Sequence, residues 1–168
     1  GGNVSHQIYN VTDPANPVLI SVLSDGLTDT HKNFWECGTG IAYLVSGVPG
    51  WRVTRMTQVF DLSDPANPVF IRNFGLDGQQ PDATGTTPVE LHGCISVVDA
   101  NRIYCGHGTN SNGIMAIIDR DKLINAELVD PVNPTSAELQ EPVISQLRLP
   151  NFMGAHTSFP ILGMTLSE

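Results

Sequence analysis

Apolar residues in this chain come in short runs that are separated by polar residues, glycine and proline. The runs are rich in valine, isoleucine and aromatic residues, which favour β-strands, and the segments between them carry residues typical of turns. This pattern predicts short strands joined by turns rather than long helices. The predicted strands are Ser5–Asn10, Val18–Leu23, Thr30–Cys37, Ile41–Ser46, Met56–Leu62, Val69–Phe74, Leu91–Val98, Arg102–Cys105, Ile114–Asp119 and Val143–Leu149.

One stretch occurs twice, letter for letter, as Asp13–Val18 and Asp64–Val69, 51 residues apart. In each copy an apolar run ends at a side chain that can cap a turn, Asn10 or Asp61. Two prolines then fix φ and remove backbone donors, and a second apolar run follows. Each copy therefore predicts a strand, a turn and a strand, and the chain contains an internal repeat.

The hairpin before the second copy also recurs. With an offset of 61 residues His92 falls on His31, and His156 follows His92 by 64 residues. Each unit then has four antiparallel strands, of which the first begins at the histidine. In the later unit a predicted helical turn at 120–125 and a polar insert replace the proline-rich turn. The predicted boundaries are a half unit at 1–24, whole units at 31–74 and 92–149, and the start of another at 156–168.

Four-stranded units arranged about an axis form a β-propeller. The stretch Val59–Val69 resembles the signature of the LVIVD-repeat propellers, in which a strand ending in Asp leads into a Ser-Asp-Pro-Ala-Asn-Pro-Val turn. Ile8–Val18 resembles that signature nearly as well. The resemblance implies an all-β fold, a β-propeller built of four-stranded antiparallel blades, which is incomplete in this chain. It implies hardly anything about activity, because propellers host many unrelated functions.

Propellers close with about 4 to 8 blades, and unclosed blades expose unpaired strand edges. The chain begins within a unit, without methionine, and ends shortly after a first strand. We therefore expect missing sequence or a second chain to supply the remaining blades. Alone, the chain is expected to aggregate or to form oligomers.

The net charge of −9, with only 8 lysine and arginine residues, argues against nucleic acid or an anionic membrane surface as a partner. No apolar run reaches the ~18 residues of a membrane span. Asn3 and Asn10 each begin a glycosylation triplet, although such triplets are frequent by chance. We expect an extracellular or periplasmic location.

The three histidines at the shared first-strand position, His31, His92 and His156, are the candidate metal ligands. Rotation about a propeller axis preserves depth and direction, so equivalent side chains on innermost strands would converge on the central channel. Imidazole is a ligand for Fe, Mn, Cu and Zn. The alternative is a structural role like that of the histidine in WD-repeat propellers, which forms hydrogen bonds within its own blade, and the spacing fits that alternative as well.

Weaker signals surround these histidines. Glu36 and Glu90 could complete a ligand set or orient an imidazole, although we favour a solvated role for both. His107 lies at the end of the predicted second strand of its unit, where a histidine is more often a loop residue than a ligand. Cys94 and Cys105 face each other if the later hairpin closes as predicted. A disulfide is one interpretation, but we favour two small core residues because disulfides between neighbouring strands are geometrically demanding.

Two functions are compatible with these observations. The first is a binding or scaffold module that uses the central channel and the loop face, especially 75–91 and 120–142. The alternative is a metal-dependent enzyme with its site on the propeller axis. The sequence has no nucleophile elbow, phosphate-binding glycine loop or paired-cysteine zinc spacing, so it names no substrate and no catalytic residue.

Overall fold

The computed structural model describes residues 4–110 and 112–164. Within these residues the strands lie close to the predicted positions, so the all-β prediction is confirmed. The strands are β1 Val4–Asn10, β2 Val18–Leu27, β3 Phe34–Trp35, β4 Ile41–Ser46, β5 Met56–Asp61, β6 Val69–Phe74, β7 Leu91–Val97, β8 Arg102–His107, β9 Ile114–Asp119 and β10 Val143–Arg148. Two short helices, α1 Arg120–Asn125 and α2 Ser136–Gln140, follow β9. No helix in the described segments is long and apolar enough to cross a membrane.

The strands form two antiparallel sheets of four, β3 to β6 and β7 to β10, in which neighbours in the chain are neighbours in the sheet. β1 and β2 form a separate antiparallel pair. The register repeats with the sequence: Phe34 pairs with Tyr43 in the first sheet and Ile95 with Tyr104 in the second, 61 residues later. The predicted repeat of the hairpin is therefore present in the backbone, and no sheet among the described residues closes on itself.

The two four-stranded sheets meet at their first strands. Lys32 and Gly93 form a parallel bridge, so the chain enters both sheets in the same direction at this contact. One apolar core draws on both sheets, and includes Tyr43, Val45, Met56, Val59, Leu91, Cys94, Ile103, Ile114 and Ile118. A smaller cluster joins the β1–β2 pair to the first sheet: Ile8, Ala42, Leu44, Phe60 and Leu62.

The repeated turn is built by its aspartate. The carboxylate accepts hydrogen bonds from the backbone N–H two residues later and from the asparagine amide three residues later, at 2.8 to 3.0 Å. The same turn occurs a third time, in Asp130–Pro134. The sequence analysis missed this copy because α1 separates it from Asp119, which ends its strand. The proline-rich turn is thus displaced along the chain and was not replaced.

Segment 75–90 is a loop without helix or strand, as predicted, but it is exposed mainly at 81, 82 and 84–86 and is buried or half-buried over most of its other residues. Gln79 and Gln80 are buried. The Gln79 amide donates to the carbonyl of Val89 at 2.7 Å and its oxygen accepts from the N–H of Leu76 at 2.9 Å. The Arg52 guanidinium donates to the backbone carbonyls of residues 78 and 85. The Gln79 bonds close the segment on itself, and the Arg52 bonds tie it to the loop between β4 and β5.

The favoured interpretation of Cys94 and Cys105 as unbonded core residues is wrong: the two form a disulfide between β7 and β8. They are direct partners in the strand register, which brings their Cα atoms to 4.1 Å and leaves the sulfurs facing each other. Cys37 is an exposed free thiol.

Candidate functional site

His31, three residues before β3, and His92, on β7, come together where the two sheets meet. A Cβ at Gly93 would lie 3.1 Å from the carbonyl oxygen of Lys32, so the absence of a side chain lets the two strands approach. The register shifts between Leu91 and Gly93, and His92 lies in that bulge. The Nε2 atoms of His31 and His92 are 2.9 Å apart, and the rings meet at 81°.

His156 reaches the same place through a close approach of backbone to backbone. The N–H of Ala155 donates to the carbonyl of Gly108 at 2.7 Å, next to the end of β8. A Cβ at Gly106 would lie 2.4 Å from the Ala155 carbonyl oxygen, so this segment needs glycine on β8. The ring of His156 lies on that of His92, with centroids 3.4 Å apart and planes inclined by 36°.

The three rings form what we call the histidine cluster: His31, His92 and His156. His92 is buried, whereas His31 and His156 are exposed, so the cluster opens to solvent in this chain. The rings contact across sheets, whereas the WD-like alternative would hold each ring within its own sheet. The sequence prediction that these side chains lie together agrees with this geometry.

The electrostatics of the cluster keep its central ring uncharged. Burial above all, and then the nearby His156, His31 and Lys32, lower the pKa of His92 to about 4. The Nδ1 of His92 is buried and has no hydrogen-bond partner. His92 is therefore a neutral imidazole near pH 7, with hydrogen-bonding capacity that the protein does not use.

The cluster is a facing pair with a third ring stacked upon it. Among the described residues no group of three or more His, Cys, Asp or Glu side chains is already arranged around a common metal position. The Nε2 atoms of His31 and His92 face each other in a hydrogen bond, and all three rings would have to turn about their side-chain bonds to present nitrogens to one ion. The exposure of His156 leaves room for its rotation.

Lys32 and its neighbours border the cluster. Its ammonium donates to Thr157 Oγ1 at 3.0 Å and lies 5.6 Å from the centre of the Phe159 ring. Thr157 Oγ1 also lies 3.2 Å from Nδ1 of His156. Lys32 thus links the first strand of one sheet to the segment that carries the third histidine.

The expectation of a solvated Glu36 is wrong. Its carboxylate is buried and forms two hydrogen bonds with the Arg120 guanidinium, at 2.9 and 2.7 Å. Hydroxyl groups of Thr39, Tyr43 and Ser96 also donate to it. Burial raises the pKa of Glu36, but the hydrogen bonds from Arg120, Ser96, Thr39 and Tyr43 outweigh it and lower that pKa to about 2. We call these five residues the carboxylate cluster.

Glu90 is partly exposed, as expected. It pairs with Arg55 at 3.9 Å and accepts from the hydroxyl of Thr54. Arg55 in turn donates to Asp29 at 2.8 Å. Asp29 lies two residues before His31, and Glu90 lies two residues before His92. The two carboxylates that pair with Arg55 therefore occupy equivalent positions in the two repeat units.

The remaining histidines have separate environments. His107 is the last residue of β8, as its predicted place at the end of that strand requires; it is buried, and neither ring nitrogen has a partner. Burial lowers its pKa to about 3. His6 bonds to Ser46 Oγ at 3.0 Å and Asn33 Nδ2 at 3.3 Å, which is a structural arrangement.

Sequence reasoning overlooked the residues that make the cluster possible. Gly93 directly follows His92, and Gly106 directly precedes His107. This adjacency of glycine to histidine is the sequence signal that could have identified them. A scan against protein-family models finds no match, and a search of curated proteins finds none either. The function is therefore argued from the geometry of this chain.

Proposed function

We propose that this chain is a segment of a β-propeller, similar to the LVIVD-repeat proteins, whose histidine cluster binds a transition metal ion in the central channel. The proposed architecture is supported by two sheets with the same strand order and register and by the parallel contact between their first strands. A propeller is the arrangement in which such sheets repeat by rotation, with their first strands around the axis.

One observation carries the metal proposal: the Nε2 atoms of His31 and His92 are 2.9 Å apart. Two imidazole nitrogens bound to one metal at about 2.1 Å, at about a right angle, would be ~3.0 Å apart. The separation of the pair therefore suits a shared ion, although the two nitrogens share a hydrogen bond with each other and both rings would have to turn to point at that ion. His156 stands beside the pair and supplies a third nitrogen when its ring turns.

The donor set favours a borderline metal. Imidazole suits Fe, Cu and Zn, and Mn enters sites of this kind when carboxylate or water completes them. Three nitrogen ligands leave coordination positions open, as in catalytic rather than closed structural sites. If the propeller is an enzyme, we expect its chemistry at these open positions.

The experiment is a metal titration of the purified chain, combined with elemental analysis of protein that was never exposed to a chelator. We expect one equivalent of bound metal in the Cys37→Ser background, which removes the exposed free thiol as an adventitious ligand. His31→Ala and His156→Ala should each weaken Zn²⁺ binding by at least ~10-fold, which corresponds to about 1.4 kcal/mol.

Both substituted rings are exposed, so the folded state should survive, and circular dichroism checks that it does. The matched control is His6→Gln, because His6 is held by other partners. Less than a tenth of an equivalent of any transition metal, or a Zn²⁺ affinity that neither variant changes, would overturn the metal proposal.

The second candidate is a binding or scaffold module, and one observation favours it. The two segments expected to form the loop face meet: Gln140 of α2 donates to the Asp77 carboxylate at 2.6 Å. An open polar hollow of about 460 Å³ lies beside this contact, between Gly78, Thr84 and Ser136. Metal-depleted protein distinguishes the two candidate functions. A ligand that binds at this hollow should still bind, whereas a ligand that binds at the histidine cluster should be lost.

We further propose an extracellular or periplasmic location. The support is the disulfide of Cys94 and Cys105, because such bonds persist in oxidising compartments. Thiol titration of native protein, unfolded without reductant, should find Cys37 alone. Three reactive thiols in material from the natural source would argue for a reducing compartment.

A further inference from the structure

The repeated turn does more than reverse the chain: it contacts the outer strand of the preceding sheet. Ser21 of β2 donates its hydroxyl to the Pro65 carbonyl in the second turn at 2.7 Å. Asn73 of β6 donates its backbone N–H to the Pro131 carbonyl in the third turn at 2.8 Å, and its amide to Val132 at 2.7 Å. The same kind of contact therefore joins each described sheet to the one before it.

The first turn is built like the other two but docks on nothing described here. Asp13 accepts from the N–H of Ala15 at 3.0 Å and from the Asn16 amide at 2.8 Å. All residues from 13 to 17 are exposed, whereas Pro65 and Pro131 in the docked turns are half-buried. The first turn is therefore preformed, with its proline carbonyl at the surface.

The last outer strand offers the matching surface. Asn73 pairs with Gln58 in the first sheet, and Gln146 pairs with Ala116 in the second. Gln58 and Ala116 each lie three residues before the aspartate that ends the strand, so Gln146 occupies the position of Asn73. Gln146 is exposed and carries the same amide group, one methylene further from the backbone.

We infer that two copies of this chain associate head to tail, with the Asp13–Pro17 turn of one copy docked on β10 of the other. The contact continues an interface already present twice within the chain. The backbone N–H of Gln146 would donate to the carbonyl of Pro14, as that of Asn73 does to Pro131, and its side-chain amide would donate to the carbonyl of Ala15, as that of Asn73 does to Val132. A contact of this kind is heterologous, so its repetition generates rings, of which the pair is the smallest, or filaments.

Each copy carries a charge of −9, so repulsion opposes the association and salt should strengthen it. The exposed edge of β1 and the apolar residues near the carboxyl end offer a different route, edge-to-edge pairing or collapse. Association by those routes needs neither the first turn nor Gln146, so substitutions at these positions would not weaken it.

The test is sedimentation velocity of the full chain over a wide concentration range at two salt concentrations. The turn variant is Asp13→Ala with Asn16→Ala, and the strand variant is Gln146→Glu. Each should raise the dissociation constant by at least ~10-fold. The control is Asp64→Ala with Asn67→Ala, which breaks the same bonds in a docked turn and should lower thermal stability instead.

Mixing the two variants gives the decisive result. The turn variant keeps an intact β10, and the strand variant keeps an intact turn, so an equimolar mixture should regain one contact and form heterodimers. Restored dimers support the head-to-tail contact. A monomeric wild-type chain, association that neither variant weakens, or a mixture that stays monomeric would each overturn it.

This inference shares with the proposed function only the idea that further sheets of the same kind adjoin those described. Neither variant touches the histidine cluster, so metal binding and association fail independently. Zn²⁺ binding by the turn variant should equal that of the wild-type chain.

Discussion

Two polar clusters join the same pair of sheets, and they differ in how completely their groups are paired. In the carboxylate cluster both oxygens of Glu36 are hydrogen-bonded, and Arg120 forms two of the bonds. In the histidine cluster the Nδ1 of His92 is buried without a partner. The ring of His156 stacks on the ring of His92, whereas a metal ligand would point a ring nitrogen at the ion. The carboxylate cluster therefore has no unpaired group left for a ligand, whereas the histidine cluster has one.

This difference separates a structural role from a binding role more sharply than residue type does. Buried polar groups that satisfy one another stabilise a packing arrangement, and removing one partner is expensive. Buried groups that lack partners need another explanation, such as a metal or a ligand. The sequence favoured a solvated Glu36, with a metal ligand as the alternative, but its hydrogen bonds make it a support between sheets.

The largest expected effect comes from breaking the paired cluster. Glu36→Gln removes the charge opposite Arg120, whose side chain is only 12% exposed, and should lower the free energy of unfolding by about 3–5 kcal/mol. Since the folded-state pKa of Glu36 is about 2, below its ordinary value of 4.5, its contribution is complete above pH ~4.5 and is lost as the pH falls towards 2. Urea denaturation at several pH values measures both.

The matched control is Glu90→Gln. The side chain of Glu90 is 40% exposed and its ion pair with Arg55 is 3.9 Å long, so this variant should cost less than ~1 kcal/mol. Equal losses of stability for the two glutamates would contradict the distinction between the buried carboxylate cluster and the partly exposed ion pair of Glu90.

Next in size is the disulfide, which supports the strand shared by both clusters: β7 carries His92 and Ser96. Cys94→Ala with Cys105→Ala opens a link that spans 11 residues and should cost about 3 kcal/mol by the chain-entropy estimate. Thermal unfolding with and without reductant measures the loss. Cys37→Ala is the control and should change nothing, whereas an unaltered melting temperature in the double variant would show that β7 needs no such support.

A smaller effect should fall on the histidine cluster alone. Gly106→Ala places a Cβ against the Ala155 carbonyl, a backbone group that cannot rotate away, and should cost about 1–3 kcal/mol. The displacement moves His156, so Zn²⁺ affinity should fall as well. The control is Gly38→Ala, whose Cβ would meet nothing within 4 Å. Full metal affinity in Gly106→Ala would show that His156 is not a ligand.

The sequence predicts what repeats at a constant spacing and misses what is displaced or occurs once. The offset of 61 residues carries Tyr43 onto Tyr104 in the strand register and His31 onto His92 in the cluster. Glu36 and Arg120, 84 residues apart, have no counterpart in the other sheet. Their pairing depends on where α1 begins relative to the neighbouring sheet, which no comparison of repeat copies can reveal.

The smallest expected change at neutral pH concerns His107, which has neither the partners of the carboxylate cluster nor the exposure of His31. Both of its ring nitrogens are buried and unpaired. His107→Leu removes these nitrogens from an apolar site, so at pH 7.5 the free energy of unfolding should change by less than ~1 kcal/mol or rise. Urea denaturation of both proteins gives the comparison.

The pH dependence makes this prediction decisive. Burial holds the folded-state pKa of His107 at about 3, below its ordinary value of 6.5, so only the unfolded chain takes up its proton between those values. The contribution of the neutral ring is therefore complete above pH 6.5 and is lost as the pH falls towards 3. Stability of the wild-type chain should fall more steeply over that interval than stability of His107→Leu. Parallel curves would mean that His107 is protonated or paired in the folded protein, and that an unpaired buried nitrogen does not by itself mark a site open to a ligand.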